Sequence, residues 1–234
     1  MLDIHPIEPG RANDHIVLST WLSPAFPIGA FSYSHGLETA IVAETSRDAS
    51  TLSDWIGVLL EYGSGWCDAV FLAEAWRAAL VKDLDRLDAA SEMAIAIAPG
   101  AGRLLETSGL GTAFLKAVSA GWPHAMLDRL ATAASPPAYP IAVGAAAAAH
   151  DIPIDLTLAG FLNGFTVNVI SVAVRLVPLG QSNGLRVLSQ LQPLILDTAS
   201  RAARSSLGDL GSAAIMSDIA AMRHETLQSK VFRS

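Results

Sequence analysis

The chain has 234 residues, enough to bury one large core, and its composition of 51% hydrophobic and 16% charged residues is apolar for a soluble fold. A formal net charge of −7 with no basic run excludes a protein that grips nucleic-acid phosphates. The single cysteine, Cys67, excludes an internal disulfide and fits a reducing cytosol, so a cytoplasmic location is expected. Such an apolar composition implies either an unusually large core or a surface partly covered by partners.

Helical signals run through the chain, and alternating β-branched and polar runs are almost absent, which predicts an all-α fold. Residues 14–22 carry a short apolar pattern that stops at Pro24. A shaped loop follows, with Pro24, Pro27, Gly29 and Gly36 fixing or freeing the backbone and with Ser32 or Ser34 as caps. The spacing then predicts helices over 34–44, from Ser50 or Thr51 to Tyr62 with Asp54 completing a capping box, over 66–81 after the Gly63-Ser64-Gly65 break, and over 83–98. Further helices are predicted over 103–120, 125–134 and 141–150, the last opening at Pro140 and containing the alanine run 145–149. Pro136-Pro137 is the clearest linker-like spot, too brief to divide the chain. We therefore expect one helical-bundle domain of about ten helices over residues 1–234, with flexible tails at 1–12 and 230–234.

Between Asp155 and Arg175 no charge occurs, nearly the length of a membrane span of about 20 residues. Thr157, Gly160, Asn163, Gly164, Asn168 and Ser171 nevertheless recur every three or four positions, and two asparagines facing lipid are costly. A central buried helix over 156–174, and no membrane contact, is the expectation.

No phosphate-binding Gly-rich loop, nucleophile elbow or Cys-His cluster occurs, so neither catalysis nor nucleotide binding is expected. His35 and Glu38, three apart, form the only local pair with ligand spacing, and two ligands fall short of the usual three or four. Cys67 reads as a small buried hydrophobe. Near the other end, Ile219, Met222, Leu227 and Val231 mark an apolar strip, with Arg223, Lys230 and Arg233 set to complement a helix dipole. Phe232-Arg233 is read as an exposed aromatic and guanidinium pair suited to an interface.

Three segments carry a resemblance to a known family. Residues 23–38 (SPAFPIGAFSYSHGLE), 174–181 (VRLVPLGQ) and 223–234 (RHETLQSKVFRS) resemble, in order, the signatures of the urease accessory protein UreF family. The chain departs from the family pattern at 98–103, where relatives carry a more charged segment. The resemblance implies a non-enzymatic, all-helical homodimeric scaffold that binds the UreD/UreH accessory protein and recruits the GTPase UreG, so that nickel reaches apo-urease. Nickel and GTP would be handled by those partners, with no cofactor bound directly. By the same resemblance, Pro24, Phe26, Pro27, Gly29, Ser32, Tyr33, His35, Gly36 and Glu38 shape or supply the partner-facing and dimer-facing surface, and Arg223, His224, Glu225, Phe232 and Arg233 serve the contact with UreD/UreH. An alternative is a regulator of the GTPase that inserts Arg103, Arg175 or Lys116 into the partner's active site.

Overall fold

Small side chains let helices approach closely, and the alanine-rich stretch does so at the centre of the molecule. The structure, a computed structural model, describes residues 9–133 and 135–233. Among these it contains eleven α-helices and no strand: α1 (Pro9–Trp21), α2 (Leu37–Val42), α3 (Ala49–Tyr62), α4 (Ser64–Leu80), α5 (Leu84–Ala96), α6 (Ala101–Gly121), α7 (Ala125–Ala131), α8 (Tyr139–Ala149), α9 (Ile154–Leu176), α10 (Gln181–Ala202) and α11 (Ile215–His224). The all-α expectation holds. Helix α8 is buried from Pro140 to Ala148 and packs most extensively against α4. Gly144 makes the crossing possible, since a Cβ there would lie 2.3 Å from the Leu72 carbonyl oxygen.

Around this pair, α3, α6, α9 and α10 supply the rest of one core that includes Trp21, Ile56, Phe71, Phe114, Leu162 and Ile195. Rings link the layers: Trp21 meets Phe114 and Trp122 edge-on at 5.9 and 5.7 Å, and Phe114 meets Tyr139 at 5.7 Å. Arg77 on α4 donates to the carbonyls of Ala203 (3.2 Å) and Ser205 (2.7 Å), which fastens the end of α10. Those orphan carbonyls thereby gain partners.

Several boundaries differ from the sequence reading. The capping box of α3 is formed by Asp48 and Thr51 rather than by Thr51 and Asp54, because Asp48 holds the extended backbone that an N-cap needs. Helix α2 starts at Leu37, three residues late, because His35 (φ 51°) and Gly36 (φ 74°) are left-handed and Gly36 caps it without a side chain. The helix expected over 125–134 ends at Ala131, and residue 134 lies outside the described residues. Residues 181–202, to which the sequence reading assigned no element, form α10 despite Pro193 in its interior.

Helices α3 with α4, and α9, reach the length and apolarity of membrane spans, with 67% and 50% of the respective windows buried in the protein. Helix α9 is therefore only half covered, a correction to the buried helix expected. Phe161, Leu162, Val169 and Val172 face the core, while Asn163 is exposed and Asn168 donates to the Tyr33 carbonyl at 3.3 Å.

Candidate functional site

The three segments that carry the resemblance are far apart in sequence and meet in space. The loop 23–36 is a run of tight turns, with Phe26 and Ile28 amides bonded back to Ser23 and Phe26 carbonyls, Gly29 left-handed at φ 76°, and a single 3-10 turn over Ala30–Ser32. It lies along α9 and delivers α2, against which α11 packs. Gly36 permits that contact: a Cβ would sit 2.9 Å from both the Ala221 nitrogen and the Ser217 carbonyl oxygen, and its φ of 74° independently favours glycine.

Glu38 is the hub. Only 3% exposed, its carboxylate accepts from His224 Nε2 at 2.8 Å, from the Val231 amide at 2.7 Å and from the Phe232 amide at 3.0 Å. One residue further, the Arg233 amide donates to the Ser32 carbonyl at 2.7 Å. Phe232 is buried beneath this clasp, and Arg175 from the second segment stands over its ring at 5.9 Å. Residues 230–233, expected as a loose tail, are thus bonded to the loop. Burial pushes the Glu38 pKa up, but the hydrogen bonds from His224, Val231 and Phe232 outweigh it and hold the pKa below the usual glutamate value.

Beneath the loop lies a second, charged cluster. His35 Nε2 lies 3.2 Å from a Glu106 carboxylate oxygen, Glu106 accepts from Arg103 at 2.9 Å, and Arg103 pairs with Asp68. Burial, partly opposed by Glu106 and reinforced by Arg103, pushes the His35 pKa down to about 4, so the ring is neutral at pH 7. Burial likewise raises Asp68 more than Arg103 lowers it, and burial raises the Tyr139 phenol. Burial pulls Arg103 down, yet Asp68 and Glu106 prevail and keep its pKa high.

Two cavities flank the cluster and share Asp68 and Arg103. One, of about 160 Å³, runs between the loop and α9; the other, of about 260 Å³, lies beside Cys67 under the segment 210–212. Cys67 is half-buried and its Sγ lies 3.5 Å from the Gly211 carbonyl oxygen, with burial raising the thiol pKa. No group of three or more His, Cys, Asp or Glu side chains with metal-holding geometry occurs among the described residues.

The family model for UreF matches residues 46–192, more than half of the chain. This chain belongs to the UreF family. The urease accessory protein UreF of Rhodopseudomonas palustris strain BisA53 is 47% identical over 93% of this chain and 92% of its own length. That of strain HaA2 is 48% identical with the same coverage, and that of Bradyrhizobium sp. strain ORS 278 is 46% identical over 93% of this chain and 90% of its own. The segment 23–38 lies outside the region that the family model matches.

In this UreF-family structure the residues singled out from sequence separate into two groups. Pro24, Pro27, Arg223, Glu225 and Arg233 are exposed, and Phe26, Gly29 and Ser32 are half-buried. Tyr33, His35, Gly36, Glu38, His224 and Phe232 are buried within the chain. The exposed aromatic and guanidinium pair expected at 232–233 is corrected: only Arg233 is exposed, because Phe232 fills space under Arg175. His35 and Glu38 do not pair, since each turns to a distant partner. Glu225 accepts from the Ala101 amide at 2.9 Å and so serves the start of α6. Arg103, offered as an inserted arginine, is largely buried and paired with Asp68 and Glu106.

Sequence reasoning singled out Arg175 and the aromatic Phe31 of the loop, but it did not join them with Asp68 and Glu106 in one site. A signal existed for two of them: Asp68 and Glu106 are lone acids in otherwise apolar helical stretches, and buried acids need partners.

Proposed function

We propose that this chain is a non-catalytic scaffold of urease maturation, which binds the UreD/UreH accessory protein and recruits the GTPase UreG, as a homodimer, so that nickel passes to apo-urease. In this reading nickel and GTP are handled by those partners. The observation that carries it is the convergence of the three signature segments on one surface. There the turns of the loop and the Glu38 clasp present Pro24, Pro27, Phe31, Arg223 and Arg233 on a backbone already ordered. A preordered surface loses less conformational freedom on binding.

The test is co-purification with UreD/UreH, together with urease activation, for the chain lacking residues 230–234 and for Tyr33→Ala. Because Tyr33 is buried, Phe31→Ala is included as a variant that leaves the interior intact. Loss of the complex in the deletion and in Phe31→Ala is expected, with melting temperatures recorded for all three. Full recovery of complex and activation in every variant would overturn the site. Direct nickel titration of the isolated chain should show no tight stoichiometric site.

A further inference from the structure

Helix α3 and the segment that leads into α11 both show apolar side chains to water. Val58 on α3 is 41% exposed, and Ile215 and Met216, the first two residues of α11, are each 65% exposed. These side chains are not scattered: together with the half-buried Trp55 they line one open groove of about 370 Å³. Single exposed apolar residues need no explanation, whereas several converging on one concave surface mark a site of association.

The groove is built in advance of any occupant. Trp66 Nε1 donates to the Asp209 carbonyl at 3.1 Å and the Ala213 amide to the Tyr62 carbonyl at 2.8 Å, which ties the segment to the start of α4 and the end of α3. The Ser212 hydroxyl then donates to Asp218 at 2.8 Å and folds the segment onto α11. Gly63 lets it come this close, since a Cβ there would lie 2.9 Å from the Ala214 Cβ. An ordered surface loses little freedom on binding.

Its charge is one-sided. Helix α3 and residues 206–222 carry Asp54, Glu61, Asp209 and Asp218 and no lysine or arginine. Asp209 and Asp218 are engaged by Ser206 and Ser212, and among the described residues the exposed Asp54 is the one charged side chain on the lining. The turn 43–48, which adds Thr45 to the wall, sets Glu44 and Asp48 against Arg47. Such a surface repels anionic lipid head groups and nucleic-acid phosphates, and it attracts a cationic chain. The nearest cations along α11, Arg223 and Lys230, lie at or beyond its other end.

We propose that this groove receives an amphipathic helix of a partner protein, whose apolar stripe packs on Trp55, Val58, Ile215 and Met216 and whose flanking lysine or arginine pairs with Asp54. An apolar groove with an exposed, adaptable methionine suits a helix laid into it. The groove is at the start of α11 and the Glu38 clasp at its end, so the proposal stands independently of the contact proposed for the clasp face.

The test uses the full chain and two synthetic peptides that share leucines at helical spacing and differ only in having lysine or glutamate beside them, followed by NMR of the Val58, Ile215 and Met216 methyl groups. Saturable shifts with the lysine peptide, at an affinity about tenfold above that of the glutamate peptide, are expected, and the preference should shrink as salt rises. Ile215→Ala combined with Met216→Ala removes exposed apolar surface at a helix start where alanine is well tolerated; it should weaken the lysine peptide about tenfold and keep the melting temperature. Asp54→Asn should cut the preference for lysine over glutamate about threefold. Equal affinity for the two peptides, no saturation at millimolar concentration, or lysine-peptide binding unchanged in the double alanine variant would overturn the proposal. A parent dimer that becomes monomeric in the double alanine variant would make the groove an interface between copies, and neutral phosphatidylcholine vesicles that move the same methyl signals would make it a lipid surface; either result overturns the partner helix. Phe31→Ala should leave the peptide affinity unchanged, and a loss there would move the contact to the clasp face and overturn the assignment to the groove.

Discussion

Charging a carboxyl group inside a protein is costly, and at Glu38 that cost is offset by donors which all come from one segment. Because the folded pKa lies below the unfolded one, this group contributes stability above the unfolded value and loses it as pH falls through the folded value. Glu38→Gln leaves one acceptor oxygen for three donors, and each buried donor left without a partner costs about 1–3 kcal/mol. Hydrogen exchange at the Val231 and Phe232 amides should accelerate while α4 and α8 amides stay protected; unchanged protection at 231 and 232 would contradict the hub. His35 shifts in the same direction for the opposite reason, since here burial favours the neutral form. Its folded pKa of about 4 lies below the ordinary histidine value of 6.5, so the unfolded chain binds the proton more readily and stability falls with acid across that window. Relative to His35→Gln, the parent should lose about 3 kcal/mol between pH 6.5 and pH 4, read from denaturant midpoints. A difference that stays flat with pH would mean that the ring is not held neutral.

At the scale of elements, glycine separates packing from propensity. Gly144→Ala drives a Cβ into the backbone of α4, and a backbone oxygen cannot rotate away. A loss of about 3 kcal/mol, or about 6–12 °C in melting temperature, is expected. Gly57→Ala in α3 is the counterpart, with its nearest atom 3.8 Å away, and should gain up to about 1 kcal/mol from helix propensity. If both variants shifted alike, close approach at α8 would not be the reason for the glycine. The helices were legible wherever punctuation was strong: Gly63 separates α3 from α4, and Pro99-Gly100 separates α5 from α6. Helix α10 escaped despite the three- and four-residue spacing of Gly184, Val187, Leu191, Ile195, Thr198 and Ala202. Pro193 interrupts that pattern, and it is tolerated because it lies on the exposed face, where the carbonyl it leaves unbonded, on the exposed Ser189, meets water. The site was legible only as a set of segments. Spacing placed His35 beside Glu38, whereas the fold sends them to Glu106 and His224, partners that no local pattern specifies.

Across the whole molecule, one core accounts for much of the apolar composition, since it draws on residues from Val17 to Phe232. Stability is nonetheless uneven. The centre, α4 with α8, is buried over most of its length, while residues 225–233 are mostly exposed and held by a few hydrogen bonds. Native-state exchange should therefore show the segment after α11 opening below the global free energy, with the α4 and α8 amides exchanging only on full unfolding. Uniform protection across both would show a single cooperative unit. The clasp also sets an order of events during synthesis. Glu38 and the amide of Phe232 are 194 positions apart, so a growing chain has the loop, α2 and the whole of α8 and α9 before it has the donors that settle the Glu38 carboxylate. At a synthesis rate of about 5–20 residues per second, the loop and α2 wait for about 10–40 seconds before the donors of the clasp exist, so a nascent chain holds the proposed docking face only in an unfinished form.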